Sequence, residues 1–148
     1  VVAWSQNLTA EKAAQQGVHL ADSKQALFEQ SDFVSVHLVL SERTRRLVGQ
    51  QELQAMKKTA YLINTSRAAI VDRAALIDAL QNQRIAGAGL DVFEVEPLPL
   101  DDIFRRLPNV LATPHLGYVA DDNYGIYFRE AIEDIVAFLA NEPIRRLS

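Results

Sequence analysis

Short apolar runs alternate along this chain with longer stretches whose apolar residues recur every three or four positions. The runs near 1–4, 18–20, 33–38, 60–63, 85–92 and 110–112 predict strands of the continuous apolar kind found in parallel sheets. Between them, 9–16, 23–30, 49–56 and 72–82 predict helices, the fourth with Leu76, Ile77 and Leu80 on one face and Asp72 near its start as a cap or dipole partner. A final helix from about Asp122 to Ala140 carries Ile126, Ile132, Ile135, Val136 and Leu139 at mixed three- and four-residue spacing, so one of its faces is expected to be buried. Prolines 97, 99, 108 and 114 punctuate a long loop region. Regular alternation of strand and helix predicts an α/β architecture, a parallel sheet with helices on both faces.

The chemistry sits just beyond three of these runs. Asn64-Thr65-Ser66-Arg67, the segment from Asp91 to Pro97, and Thr113-Pro114-His115-Leu116-Gly117 set an arginine, carboxylates and a histidine after successive strands. Parallel strands deliver the residues at their carboxyl ends to one shared edge, where ligands bind in open α/β sheets. A guanidinium that grips a carboxylate with two parallel hydrogen bonds, beside an imidazole held by an acid, is what interconverting a 2-keto acid and a 2-hydroxy acid requires.

Composition narrows the picture. With 148 residues, 49% of them hydrophobic, the chain is long enough for a domain with a real core, and no apolar run approaches a membrane span. The absence of cysteine excludes disulfides and thiolate zinc sites, so the expected setting is cytoplasmic. Fifteen basic against nineteen acidic residues oppose a polyanion-binding role. The doublets Arg45-Arg46, Arg105-Arg106 and Arg145-Arg146 are expected to be solvated surface.

A dinucleotide fold holds its pyrophosphate on a glycine-rich turn between its first strand and a helix. These residues contain none: Gly87-Ala88-Gly89 lies inside a strand pattern, where glycines instead allow close backbone packing.

The ordered motifs resemble the D-isomer-specific 2-hydroxyacid dehydrogenase family over nearly the whole chain. The likeness is carried by Asp32 to Leu38, by Asn64-Thr65-Ser66-Arg67 leading to Val71-Asp72 and Ala75-Leu76, by Gly87 to Phe93 and on to Glu96-Pro97, and by Pro108-Asn109-Val110 to Thr113-Pro114-His115. It implies a Rossmann-like doubly wound sheet that lacks its first strand: residues 1–120 as part of an NAD(P)-binding domain, and 121–148 as a helix that returns towards a substrate domain. The missing strand would stand between the runs at 1–4 and 33–38, leaving two unpaired edges at the centre of the sheet. By the same resemblance His115 is the general acid for reduction and the base for oxidation. Glu96 is the acid that hydrogen-bonds its ring, with Glu94 as competitor, and Arg67 binds the substrate carboxylate and polarises its carbonyl. Asp91 and the Thr65 carbonyl match positions at the nicotinamide carboxamide, His115 and Gly117 are cofactor-binding positions on the same side, and His37 and Leu38 match the loop on the adenosine side.

Two departures from the family pattern matter. Gly117 is followed by Tyr118, which is able to narrow the site, and the acid expected at the adenosine ribose is replaced by Ser5-Gln6-Asn7. Neutral groups there neither repel nor attract a 2′-phosphate, so both NAD and NADP are expected as cofactors. The partners expected are a small 2-keto or 2-hydroxy acid and a second copy of the parent protein, with neither nucleic acid nor membrane. Competing expectations are a non-catalytic dinucleotide-binding protein of the same fold, and an inactive fragment.

Overall fold

A computed structural model describes residues 1–146. Two compact units make up the chain, residues 1–115 and 116–148. In the first, β1 (Val2–Ala3) pairs in parallel with β2 (His19–Leu20), and α1 (Ala10–Gln15) connects them. After α2 (Lys24–Gln30), a four-stranded parallel sheet is laid down in chain order: β3 (Phe33–Val36), β4 (Tyr61–Asn64), β5 (Gly87–Leu90) and β6 (Val110–Ala112). The crossovers contain α3 (Gln50–Ala55), α4 (Arg73–Gln81) and the 3-10 turns Ala68–Ile70 and Ile103–Arg105. This is the parallel α/β, Rossmann-like class that the alternating pattern predicts.

Side chains start the helices where the sequence offers oxygen acceptors. Thr9, Ser23 and Asp72 accept from the N–H groups of Lys12, Ala26 and Ala75, satisfying donors that the first helical turn leaves open. Gly49 starts α3 without a side chain, and the Glu52 carboxylate reaches back to its N–H at 2.8 Å. That carboxylate is buried, and it is matched by Lys24 from α2 at 2.6 Å.

Each pair of strands is in simple register, so Val34, Leu62, Ala88 and Val110 share one face, as do Val36, Asn64, Leu90 and Ala112. The core lies on this face, where Phe28 of α2, Leu53 of α3 and Leu76, Ala79 and Leu80 of α4 pack on Val34, Val36, Leu62, Ala88 and Leu90. α2, α3 and α4 all contribute to this core. Right-handed crossovers that step along a sheet in one direction place their helices on the same side, and this strand order contains no reversal. The opposite face exposes Phe33, Tyr61 and Leu111.

Between the two sheets runs a cleft of about 860 Å³, bordered by Ala3 and Trp4 on one side and Val34 and Val36 on the other. Among the described residues β1 pairs with β2 and β3 with β4, and no strand joins the two sheets.

The glycines of β5 act as close-packing residues. A Cβ on Gly87 would stand 2.6 Å from the Asn109 carbonyl oxygen and 3.1 Å from the Tyr61 ring, and one on Gly89 would stand 3.2 Å from Ile63. Gly87→Ala is expected to lower the unfolding free energy by about 1–3 kcal/mol through overpacking against backbone. Equilibrium denaturation measures this; a variant as stable as the parent would remove the close-approach argument.

Among the described residues, the second unit consists of turns and one long helix, α5 (Asp121–Leu139). The buried apolar face expected of it is not seen: Ile126, Ile132, Ile135, Val136 and Leu139 are all exposed. A lone helix holds nothing against which to bury its own stripe.

Candidate active site

Strand register builds the site. Val36, Asn64, Leu90 and Ala112 form one row across the sheet, so the next residues, His37, Thr65, Asp91 and Thr113, leave the four strands side by side. The ladder continues one step further, with the Asp91 N–H donating to the Asn64 carbonyl at 3.0 Å and the Thr113 N–H to that of Leu90 at 2.9 Å.

Asn64 is almost fully buried and shapes the loop after β4. Its amide donates to the Arg67 carbonyl at 3.0 Å, while its side-chain oxygen accepts from the Ser66 N–H at 3.1 Å. Ser66 in turn donates its hydroxyl to the Leu38 carbonyl at 2.6 Å, tying this loop to the one after β3. Arg67 is thus presented on a fixed turn with its guanidinium exposed, one nitrogen donating to the Ser66 carbonyl at 2.7 Å.

Asp91 is buried and accepts from the Thr113 hydroxyl. The loop that follows folds back on itself, so the Phe93 N–H donates to Glu96 Oε1 at 2.8 Å, and Glu96 Oε2 faces Nδ1 of His115, also at 2.8 Å. Geometry selects Glu96 over Glu94 as the partner of the imidazole. The Phe93 N–H and then the His115 ring hold the Glu96 carboxyl below the usual carboxylate range, against slight desolvation and the nearby charge of Asp91. Its contribution to the folded state is therefore present above the unfolded-state value and is lost as pH falls through the lowered one. His115 itself has φ of 58°, in the left-handed region that non-glycine residues seldom adopt.

The remaining expected residues are less concentrated. His37 and Leu38 follow β3, with His37 exposed and its Nε2 2.9 Å from the Ser35 hydroxyl. Ser5 and Gln6 lie in the turn after β1, where the Ser5 carbonyl accepts from the Leu8 N–H, on the two-stranded sheet. Gly117 belongs to the second unit, in the turn closed by the Val119 N–H on the Leu116 carbonyl. The sequence reading missed Asn64, Ser66, Phe93 and Thr113 as organisers of the site, although a polar residue at the end of an apolar run is the available signal for Asn64 and Thr113. The three arginine doublets are exposed, as expected, yet two of them also make specific contacts. Arg105 donates to the Leu98 and Pro99 carbonyls, and Arg145 pairs with Glu133 and Asp134, because an exposed guanidinium still ties down backbone and acids within its reach.

Asp91 and the Thr65 carbonyl are acceptors suited to a carboxamide, and Glu96 with His115 stand at the same edge. Among the described residues no glycine-rich turn links a strand to a helix. The N-terminus of α4, closest in sequence to Arg67, is filled by the Asp72 carboxylate, and α1 begins with Thr9 and Glu11. Among the described residues, no group of three His, Cys, Asp or Glu is placed to hold a metal ion.

Residues 1–117 match the model of the D-isomer specific 2-hydroxyacid dehydrogenase NAD-binding domain. The chain belongs to this family. Its members are NAD(P)-dependent hydroxyacid dehydrogenases. A glyoxylate reductase of Korarchaeum cryptofilum is 45% identical over 116 residues, which are 78% of this chain and 35% of that protein. A phosphoglycerate oxidoreductase from Vibrio cholerae superposes with a TM-score of 0.86 at 40% identity, covering 95% of this chain and 45% of the other. A D-isomer specific 2-hydroxyacid dehydrogenase from Xanthobacter autotrophicus, solved with NADPH and MES, gives a TM-score of 0.74 at 35% identity over 97% of this chain and 58% of its own. The chain therefore spans about a third of the length of that glyoxylate reductase. No helix among the described residues is long and apolar enough to cross a membrane.

Proposed function

We propose that the protein containing this segment reduces a small 2-keto acid, of the size of glyoxylate or hydroxypyruvate, to its D-2-hydroxy acid. The observation that carries this is the 2.8 Å contact of His115 Nδ1 with Glu96 Oε2 at the sheet edge that also bears Arg67. A bound nicotinamide cofactor would supply the hydride. Asp91 and the Thr65 carbonyl would hold its carboxamide, and Ser5 and Gln6, with His37 and Leu38, its adenosine side.

The protein's own residues do the rest. Arg67 grips the substrate carboxylate through two N–H groups and orients the adjacent carbonyl, a task for which lysine's point charge is less directional. Glu96 fixes the imidazole with Nδ1 towards itself, which leaves Nε2 as the atom that exchanges a proton with the substrate oxygen. In reduction the carbonyl carbon gains hydride, its oxygen gains the proton from His115, and Glu96 stays ionised beside the imidazole. In oxidation His115 takes the proton back.

The neutral Ser5, Gln6 and Asn7 support use of both NADH and NADPH, and the NADPH-bound relative shows that this family fold accepts the latter. The test is cofactor oxidation followed at 25 °C with glyoxylate, hydroxypyruvate and pyruvate in the intact protein. Absence of turnover with both cofactors would overturn the proposal. The 148-residue chain alone, without a glycine-rich turn, is expected to show neither turnover nor tight dinucleotide binding; micromolar binding by calorimetry would contradict that. Our reading also makes the intact protein a cytoplasmic homodimer, which light scattering checks for assembly.

A further inference from the structure

The loop from Val92 to Phe104, which carries Glu96, is not held down by packing alone. It stands over a cavity of about 130 Å³ lined by Leu76, Leu90, Val92, Leu98 and Phe104, with Arg73 at its side. Arg73, in the first turn of α4, sends one nitrogen to Asp102 Oδ2 at 2.9 Å, a pair in which the carboxylate is largely covered and the guanidinium partly so. Asp102 uses its other oxygen to accept from the Phe104 N–H at 2.9 Å. The same guanidinium lies 4.7 Å from the centre of the Phe104 ring, and that ring packs against Phe93 with centroids 6.3 Å apart. Phe93 supplies the N–H that holds Glu96 Oε1.

From this continuous set of contacts we infer that Arg73 is a positioning residue of the reaction: clamped to Asp102 and Phe104, it fixes Phe93 and so aims Glu96 at His115. The inference rests on the dehydrogenase proposal for its catalytic meaning, although the geometry it concerns is independent of substrate. A guanidinium suits the task because its plane stacks on a ring while its edge meets a carboxylate. A cavity beneath the loop leaves these polar and aromatic contacts with more of the anchoring, since a void supplies no partner atoms.

The charged groups around Glu96 are His115, whose ring meets it, and Asp91, which opposes its ionisation from the end of β5. Neither is touched by changing Arg73. The test uses Arg73→Met, Arg73→Lys and Asp102→Asn in the intact protein, with Glu96→Gln as reference. Titration of the Glu96 carboxyl carbon by NMR is the first readout, and the pH profile of keto-acid reduction is the second. In Arg73→Met the Glu96 titration should move up towards the ordinary carboxylate range as the Phe93 N–H loses its aim. Its kcat should fall on the order of tenfold with KM nearly unchanged, and its pH profile should shift towards that of Glu96→Gln. Arg73→Lys, which keeps the ion pair, should restore most of the wild-type titration. If Arg73→Met does not fold, Asp102→Asn, which keeps the volume and the acceptor for Phe104, should give the same upward movement. A less stable variant whose Glu96 titration and pH profile are those of the parent would overturn the inference and leave Arg73 a structural residue only. Should the intact protein reduce no keto acid, the titration still decides for or against Arg73, so the two proposals fail separately.

Discussion

His115→Ala in the intact protein should lower kcat for keto-acid reduction by ~10²-fold or more, the scale of a lost general acid, with a much smaller change in KM. Glu96→Gln should retain more activity and alter its pH dependence. The substitution removes the carboxylate that faces Nδ1 and puts a neutral amide in its place, so the profile should differ from that of wild type. On the acid side the wild-type enzyme should stay active while pH falls through the usual carboxylate range, because the Phe93 N–H and His115 keep Glu96 ionised there. Initial rates across pH for wild type, Glu96→Gln and Glu94→Gln separate the possibilities. A profile moved by Glu94→Gln and not by Glu96→Gln would show that the 2.8 Å contact is not the working one.

The second large effect is expected at Arg67. Arg67→Ala should reduce kcat/KM for a 2-keto acid by about 10²-fold or more, since two charge-assisted hydrogen bonds to the substrate carboxylate are lost. Arg67→Lys should recover only part of this, because one ammonium cannot reproduce the bidentate orientation. An aldehyde or ketone without a carboxylate is the control. Its slow turnover should be nearly indifferent to the substitution, and a full loss on that substrate would assign Arg67 to the fold of the loop after β4.

Much of this site can be read from strand ends, because apolar runs in a parallel sheet stop at a common edge and the residues after them must meet there. That logic locates Arg67, Asp91 and His115, and the Glu-Pro pair distinguishes Glu96 from Glu94. It does not reach the organisers. Asn64 acts through its burial and two backbone contacts, both set by the turn it makes. Arg105 looks like any solvated charge until the loop curls back beneath it. Periodicity reports where the apolar residues of α5 lie, and it is silent on whether a partner covers them. Helices gather on one face of the four-stranded sheet because of strand order, which no local pattern encodes.

The left-handed backbone at His115 bears on how this site responds to selection for stability. A non-glycine residue in that conformation is strained by about 1–2 kcal/mol, which glycine would relieve. His115→Gly should therefore relieve that strain while giving up the contact with Glu96, and it removes the proposed proton donor in the same step. A screen for thermal resilience without an activity filter would not register that last loss, so at this position backbone relief and chemistry pull in opposite directions.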